Sequence, residues 1–152
     1  MKGHEEFNKI AVGTDHGGFE LKQEIVKYME EKGWEVEDFT PKFNNPIPFV
    51  PVAVRVCSKV KDDAGTIGIL CCGTGVGMSI AANRQSDIRA AILYDDFTAE
   101  YSRRHNNANV LVFGGRTMKV EDVLRRIDIF LSNEFDGGKY DERNKSIEDP
   151  QL

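Results

Sequence analysis

No apolar stretch of the chain approaches the ~18–20 residues that cross a bilayer, which argues against a membrane-spanning helix. The opening Met1-Lys2-Gly3-His4-Glu5-Glu6 lacks the charged and then apolar pattern of a secretion signal. Cysteine is scarce: there are three, with Cys71 and Cys72 adjacent and poorly placed to pair with each other. That is no disulfide framework, and it points to a reduced, cytoplasmic protein. An excess of basic charge is missing too. The formal net charge of −5 spreads along the whole length, so no basic face advertises nucleic acid as a partner. Of the three histidines, His4 sits in a terminus expected to fray, and His16 and His105 have no third residue at a zinc-ligand spacing. No metal or cofactor site is read from the sequence. Internal repeats and low-complexity segments are also absent.

What is present suits one α/β domain. With 152 residues, 40% hydrophobic and 30% charged, the chain can bury roughly two-thirds of its unfolded surface. Apolar runs alternate with amphipathic stretches. Strands are expected at Lys9–Gly13, Trp34–Phe39, Thr66–Cys71, Ile88–Leu93 and Asn109–Phe113. Helices are expected from Phe19 to about Gly33, then at Val52–Val60, Gly77–Asn83, Asp96–His105 and Val120–Leu131. Prolines at 41, 46, 48 and 51 make Thr40–Pro51 a loop. Residues 1–8 are expected to be a flexible N-terminus, 9–132 the α/β domain and 133–152 a polar C-terminal tail or helix. Five strands separated by helices imply a doubly wound, Rossmann-like parallel sheet covered on both faces, in a single domain. Ligands of such sheets bind beyond the carboxyl ends of the strands. Three strands end in unusual text there: Asp15-His16, Cys72-Gly73-Thr74-Gly75 and Gly114-Gly115-Arg116. These ends should converge on one site.

The chemistry-bearing residues each admit two readings. Gly73, Gly75 and Gly77 join a buried strand to a helix N-terminus, where backbone amides can meet a phosphate or a developing enolate. The alternative is a tight turn with no ligand. The loop is no Walker motif, since no Gly-Lys-Ser/Thr follows, and it lacks the dinucleotide GxGxxG spacing. Cys72 ends the strand before that helix, where partial positive charge favours the thiolate as nucleophile or base. Its alternative is a small core hydrophobe, the reading that suits Cys71 and Cys57. Strand alternation puts Cys71 and Cys72 on opposite faces. His16 lies at the mouth of the expected site, or in an ordinary turn. His105 ends a helix, where it can act on substrate or interact with the helix dipole. Arg116, Lys139 and Arg143 are anion-binding candidates, Lys139 and Arg143 four residues apart; a solvated charged tail is the alternative for that pair.

Together the blocks Asp15-His16-Gly17-Gly18-Phe19, Cys72-Gly73-Thr74-Gly75-Val76-Gly77 through Ala82-Asn83, Ile88-Arg89-Ala90-Ala91, His105-Asn106-Asn107-Ala108-Asn109-Val110 and Phe135-Asp136-Gly137-Gly138 resemble ribose-5-phosphate isomerase B. The wider family includes galactose-6-phosphate isomerase. The likeness runs from about Lys9 to Ile147. It implies a metal-free aldose–ketose isomerase of a phosphorylated sugar, working without a cofactor. It also implies a homodimer or tetramer with active sites at the subunit interface, and residues 133–152 packing on the partner subunit. By position, Cys72 would move a proton between C1 and C2, while amides around Gly73, Gly75 and Gly77, with Thr74, would stabilise the enediolate. His105 from the neighbouring subunit would assist ring opening, with Asn106 nearby. Asp15 would contact sugar hydroxyls, and His16, Arg116, Lys139 and Arg143 would hold the phosphate. A second branch of the family places a glutamate base at the position of Met78; here that position is apolar.

Two departures bear on the substrate. The family's tyrosine in the loop after the second strand is replaced within Pro46-Ile47-Pro48, and the arginine that commonly follows the Gly-Gly pair is Lys139. Lysine keeps the charge but loses the bidentate fork. The expected substrate is ribose 5-phosphate, with a hexose 6-phosphate or tetrose 4-phosphate as alternatives. From other classes come a non-catalytic sugar-phosphate-binding protein and, more remotely, a flavodoxin-like regulatory or nucleotide-binding module.

Overall fold

Short runs rich in Ile, Val, Leu and Ala form the sheet because both of its faces are covered, so continuous apolar text, not alternation, is what a central strand needs. The computed structural model describes residues 6–151, and His4 lies outside the described residues. Strands β1 (Lys9–Thr14), β2 (Glu35–Asp38), β3 (Thr66–Cys72), β4 (Ala90–Ile92) and β5 (Val110–Gly114) pair in the order β2-β1-β3-β5-β4, all parallel. Every residue of β3 and β5 is buried, whereas the edge strand β2 alternates exposed and half-buried residues. The connecting helices are α1 (Phe19–Glu31), α2 (Phe49–Asp62), α3 (Val76–Asn83), α4 (Asp96–Arg104) and α5 (Val120–Leu131), and α6 (Lys139–Glu148) follows the sheet.

Two cores result, one on each face. Leu21, Ile25 and Met29 of α1, Ala99 of α4, and Val123, Ile127 and Phe130 of α5 cover Ile10, Val12, Ile69, Cys71 and Phe113. Val52, Ala53 and Val56 of α2, with Met78 and Ala82 of α3, cover Ala11, Leu70, Cys72, Val110 and Val112. The adjacent cysteines therefore divide between the faces, as alternation along a strand requires.

Several expected boundaries move. Helix α2 begins at Phe49, not Val52, and holds Pro51 inside its first turn. Proline fits there because first-turn amides have no intrahelical acceptor to lose. Strand β4 spans only Ala90–Ile92. The Arg89 amide donates instead to Asn109 Oδ1 at 2.8 Å, so a side chain takes the place of a ladder bond. The segment before β1 is anchored as far as Phe7, which is buried, and Asn8, whose amide donates to Gly65 O at 2.9 Å. The polar tail contains α6, which buries no residue and is fastened by polar contacts such as Asn144 Nδ2 to His105 O at 2.9 Å.

Candidate active site

The chain runs from β1 to β2 on one side and returns to β3 on the other, so the strand order reverses between β1 and β3. Their carboxyl ends open the crevice where doubly wound sheets bind ligands. The three strand ends named from the sequence do converge there. The Asp15 amide donates to Cys71 O at 3.2 Å, Gly115 N to Cys72 O at 2.8 Å and Arg116 N to Gly73 O at 2.9 Å. A Cβ on Gly17 would stand 3.1 Å from the Gly73 nitrogen, and one on Gly73 would stand 3.2 Å from Arg116 Nη1. The exposed Arg116 guanidinium thus lies over the glycine loop.

Cys72 ends β3, is 6% exposed and pairs in register with Gly114. Its Sγ accepts the Gly75 amide at 3.1 Å, which Gly75 can offer because its backbone is left-handed, φ 84°. The amide is a directed donor to the sulfur at the mouth of the crevice. The other two thiols play no such role in the crevice. Burial pushes the Cys57 thiol up to about 11, and burial first, then the neighbouring Cys72, pushes that of Cys71 up further. Met78 is fully buried in the cluster that holds Cys72 and offers no base. Thr74 Oγ1 accepts the Val76 amide at 3.2 Å across the turn into α3.

Asp15 caps a short 3-10 turn at His16–Gly18, its Oδ1 accepting Gly17 N at 2.8 Å and Gly18 N at 3.2 Å. His16 Nδ1 accepts the Ile47 amide at 3.3 Å, which leaves Nε2–H as the donor of the neutral ring. A cleft of about 700 Å³ lies beside these groups, lined by His16, Phe19, Phe43, Asn45 and Arg116 among others. Gly114 lets the β3 and β5 loops touch: a Cβ there would stand 2.7 Å from the Thr74 carbonyl group. Gly114→Ala should therefore displace the Thr74 loop, costing about 1–3 kcal/mol of stability in urea titrations and lowering turnover with it.

The remaining expected residues gather elsewhere. His105 caps the end of α4, its ring stacked on Tyr140 at 4.0 Å and 10° and its Nε2 3.7 Å from Asp136 Oδ2. Lys139 Nζ and Arg143 Cζ lie 5.2 and 5.5 Å from the same Tyr140 ring. Exposed Asn106 borders a separate cavity of about 660 Å³ with Arg89, Ile147 and Glu148. His105 and Asn106 precede β5, with Tyr140 stacked back on His105, whereas Cys72 lies level with Gly114 at the strand's far end, on the order of 15 Å away along five residues. Within one chain the expected site is thus two half-sites at opposite ends of the sheet. Tyr140, which the sequence reading passed over, organises the second; only its place after Gly137-Gly138-Lys139 hints at it. The reading also missed Arg103, buried near the Phe7 and Phe130 rings and donating to Ala108 O at 2.7 Å, which braces the turn after His105. Among the described residues no group of three or more His, Cys, Asp or Glu is placed to hold a metal ion.

A thiol, a glycine loop and the Arg116 guanidinium meet at the switch point of a doubly wound sheet, an arrangement suited to a small anionic ligand. Residues 10–147 match the model of the Ribose/Galactose Isomerase family, and the chain belongs to this family of sugar-phosphate isomerases. It is 40% identical to ribose-5-phosphate isomerase B of Escherichia coli over 139 residues, 91% of this chain and 93% of that protein. It is equally identical, at 40% over 131 residues, to D-erythrulose-4-phosphate isomerase of Pectobacterium atrosepticum, covering 85% and 86% of the two chains. The solved structure of Clostridium thermocellum ribose-5-phosphate isomerase B superposes with a TM-score of 0.90 at 38% identity, covering 93% and 96%.

Proposed function

We propose that the protein interconverts ribose 5-phosphate and ribulose 5-phosphate through an enediolate, with Cys72 as the base. The observation that carries this reading is Cys72 itself: a thiol at the crevice, receiving an amide hydrogen bond, with the Arg116 guanidinium over the adjoining loop. The Cys72 thiolate takes the proton from C2 of the open-chain aldose as the carbonyl electrons move onto O1. The proton on O2 passes to O1, and the thiol returns its proton to C1, leaving the ketone at C2. Proton transfer of this kind needs a positioned base and fixed donors for the oxyanion, and it calls for no redox cofactor or metal. The Gly75 amide is taken by Cys72 and the Val76 amide by Thr74, so oxyanion stabilisation passes to Gly73, Thr74 and Gly77. His16 Nε2–H and Arg116 serve the phosphate from the same chain. His105, Asn106, Lys139 and Arg143 serve from a second copy, because their own copy holds them at the wrong end of the sheet.

One observation favours keeping a second substrate in view. Ile47, at the place of the family's tyrosine, is buried in the cluster that holds Cys72 and brings no ring hydroxyl to the sugar. Identity does not separate the five-carbon and four-carbon relatives. Chelator-treated protein should be offered tetrose, pentose and hexose phosphates and aldose–ketose conversion followed. The highest kcat/KM is expected on ribose 5-phosphate. A clear preference for another sugar moves the substrate, and turnover on none of them overturns the activity.

A further inference from the structure

Lys22 lies on α1, takes no part in the mechanism above and is nonetheless completely buried. A buried ammonium persists only where partners replace the water it has lost. Here Nζ donates to Asp38 Oδ2 at 2.7 Å and to Gln23 Oε1, and it lies 4.4 Å from the centre of the Phe19 ring. Asp38 is the last residue of β2, and its second oxygen, Oδ1, accepts the Thr40 amide at 2.9 Å. Thr40 Oγ1 in turn accepts the Thr14 amide at 3.1 Å, and Thr14 Oγ1 donates to Asp15 O at 2.8 Å. Thr14 and Thr40 are buried, so these bonds have little competition from solvent. The chain of contacts leads from a buried charge to both walls of the cleft. One wall is the Asp15–His16 turn at the end of β1. The other is the 40–48 loop carrying Phe43, Asn45 and Ile47, and the Ile47 amide closes the circuit on His16.

We propose that the Lys22–Asp38 pair is a positioning device for substrate binding. Acting through Thr40 and Thr14, it sets the Asp15–His16 turn and the 40–48 loop at the spacing the phosphorylated substrate requires. The kinetic part of the test rests on the isomerase reading; the structural part does not. Lys22 belongs to α1, whose Leu21, Ile25 and Met29 pack on the opposite face of the sheet from the Cys72 side chain, and the pair reaches the Cys72 cluster through Phe19 and Ile47. The pair therefore acts mainly on substrate binding. Its signature is a raised KM at nearly unchanged kcat, the mark of lost ground-state binding.

The sharpest variants are at Thr40, since Thr40→Val keeps the shape and removes the acceptor while Thr40→Ser keeps the acceptor. Thr40→Val is expected to raise KM for ribose 5-phosphate about tenfold with kcat within about threefold of the parent, and Thr40→Ser to stay near parental in both. Lys22→Met should raise KM at least as much and also lower Tm, because it strands the Asp38 carboxylate. The double variant Lys22→Met/Asp38→Leu removes both charges, so Tm should recover relative to Lys22→Met while KM stays high. Hydrogen exchange at the Gly17, Gly18 and Ile47 amides should quicken about tenfold in Thr40→Val. That readout holds even if the parent turns over no sugar phosphate, which separates failure of the isomerase reading from failure of this one. Parental KM and parental exchange in Thr40→Val overturn the proposal. So does a double variant in which KM and Tm return together, because the pair would then act through global stability alone.

Discussion

Cys72→Ala should lower kcat about a thousandfold with the fold intact, whereas Cys71→Ala, one residue earlier, should keep kcat within about threefold. The contrast follows from which face each sulfur occupies. Cys71 points into the α1–α5 core, fully buried, and burial pushes its thiol up, away from the reactive thiolate. Its loss leaves a small cavity costing about 1–2 kcal/mol, visible in denaturant titrations and not in turnover. Cys72 lies at the crevice end of β3 and accepts an amide hydrogen bond, so Cys72→Ala takes away the proposed base while leaving a cavity of similar size in the opposite core, and the two variants should lose similar stability. Alanine leaves the glycine loop and Arg116 in place, so inorganic phosphate should still bind to Cys72→Ala. Equal activity losses in the two variants would refute the assignment, and a Cys72→Ala enzyme of near-parental activity would remove the thiol from the mechanism.

Much of this was legible because the relevant physics is local. Alternation along a strand separates Cys71 from Cys72 with no tertiary information, and the apolar runs ending at Thr14, Cys72 and Gly114 mark where a parallel sheet presents its ligands. What escaped depends on partners distant in sequence. Lys22 reads as one more polar residue on an amphipathic helix, because the carboxylate that lets it be buried stands sixteen positions on, at the end of an edge strand. The start of α2 was hidden by Pro48 and Pro51, which stop a helix nearly everywhere except in its first turn. Tyr140 carries no signal of its own until α6 folds back on the end of α4. The division of the site was implied by chain order, since His105 precedes β5 and Arg116 follows it, but only the parallel register turns that order into opposite ends of the sheet.

That division leads to the strongest test of how the enzyme is assembled. Cys72→Ala and His105→Ala should each be nearly inactive alone, the second by at least a hundredfold through loss of an acid–base group. Co-expressed with two different affinity tags and purified as the doubly tagged heterodimer, the same two chains should show about half the parental activity per dimer. The arithmetic comes from two-fold symmetry. If each site takes Cys72 from one copy and His105 from the other, then one site of the heterodimer carries both substitutions and its companion carries neither. A site built within one chain would be damaged in both copies, and the heterodimer would be as inactive as its parents. The proposed shared arrangement rests on one constraint: within one chain no side-chain rotation carries the His105 imidazole, stacked on Tyr140 at the end of α4, past β5 to the Cys72 sulfur. A second copy can deliver it without disturbing either half. Restored activity would thus report at once on the base, on the histidine and on the symmetry that joins them.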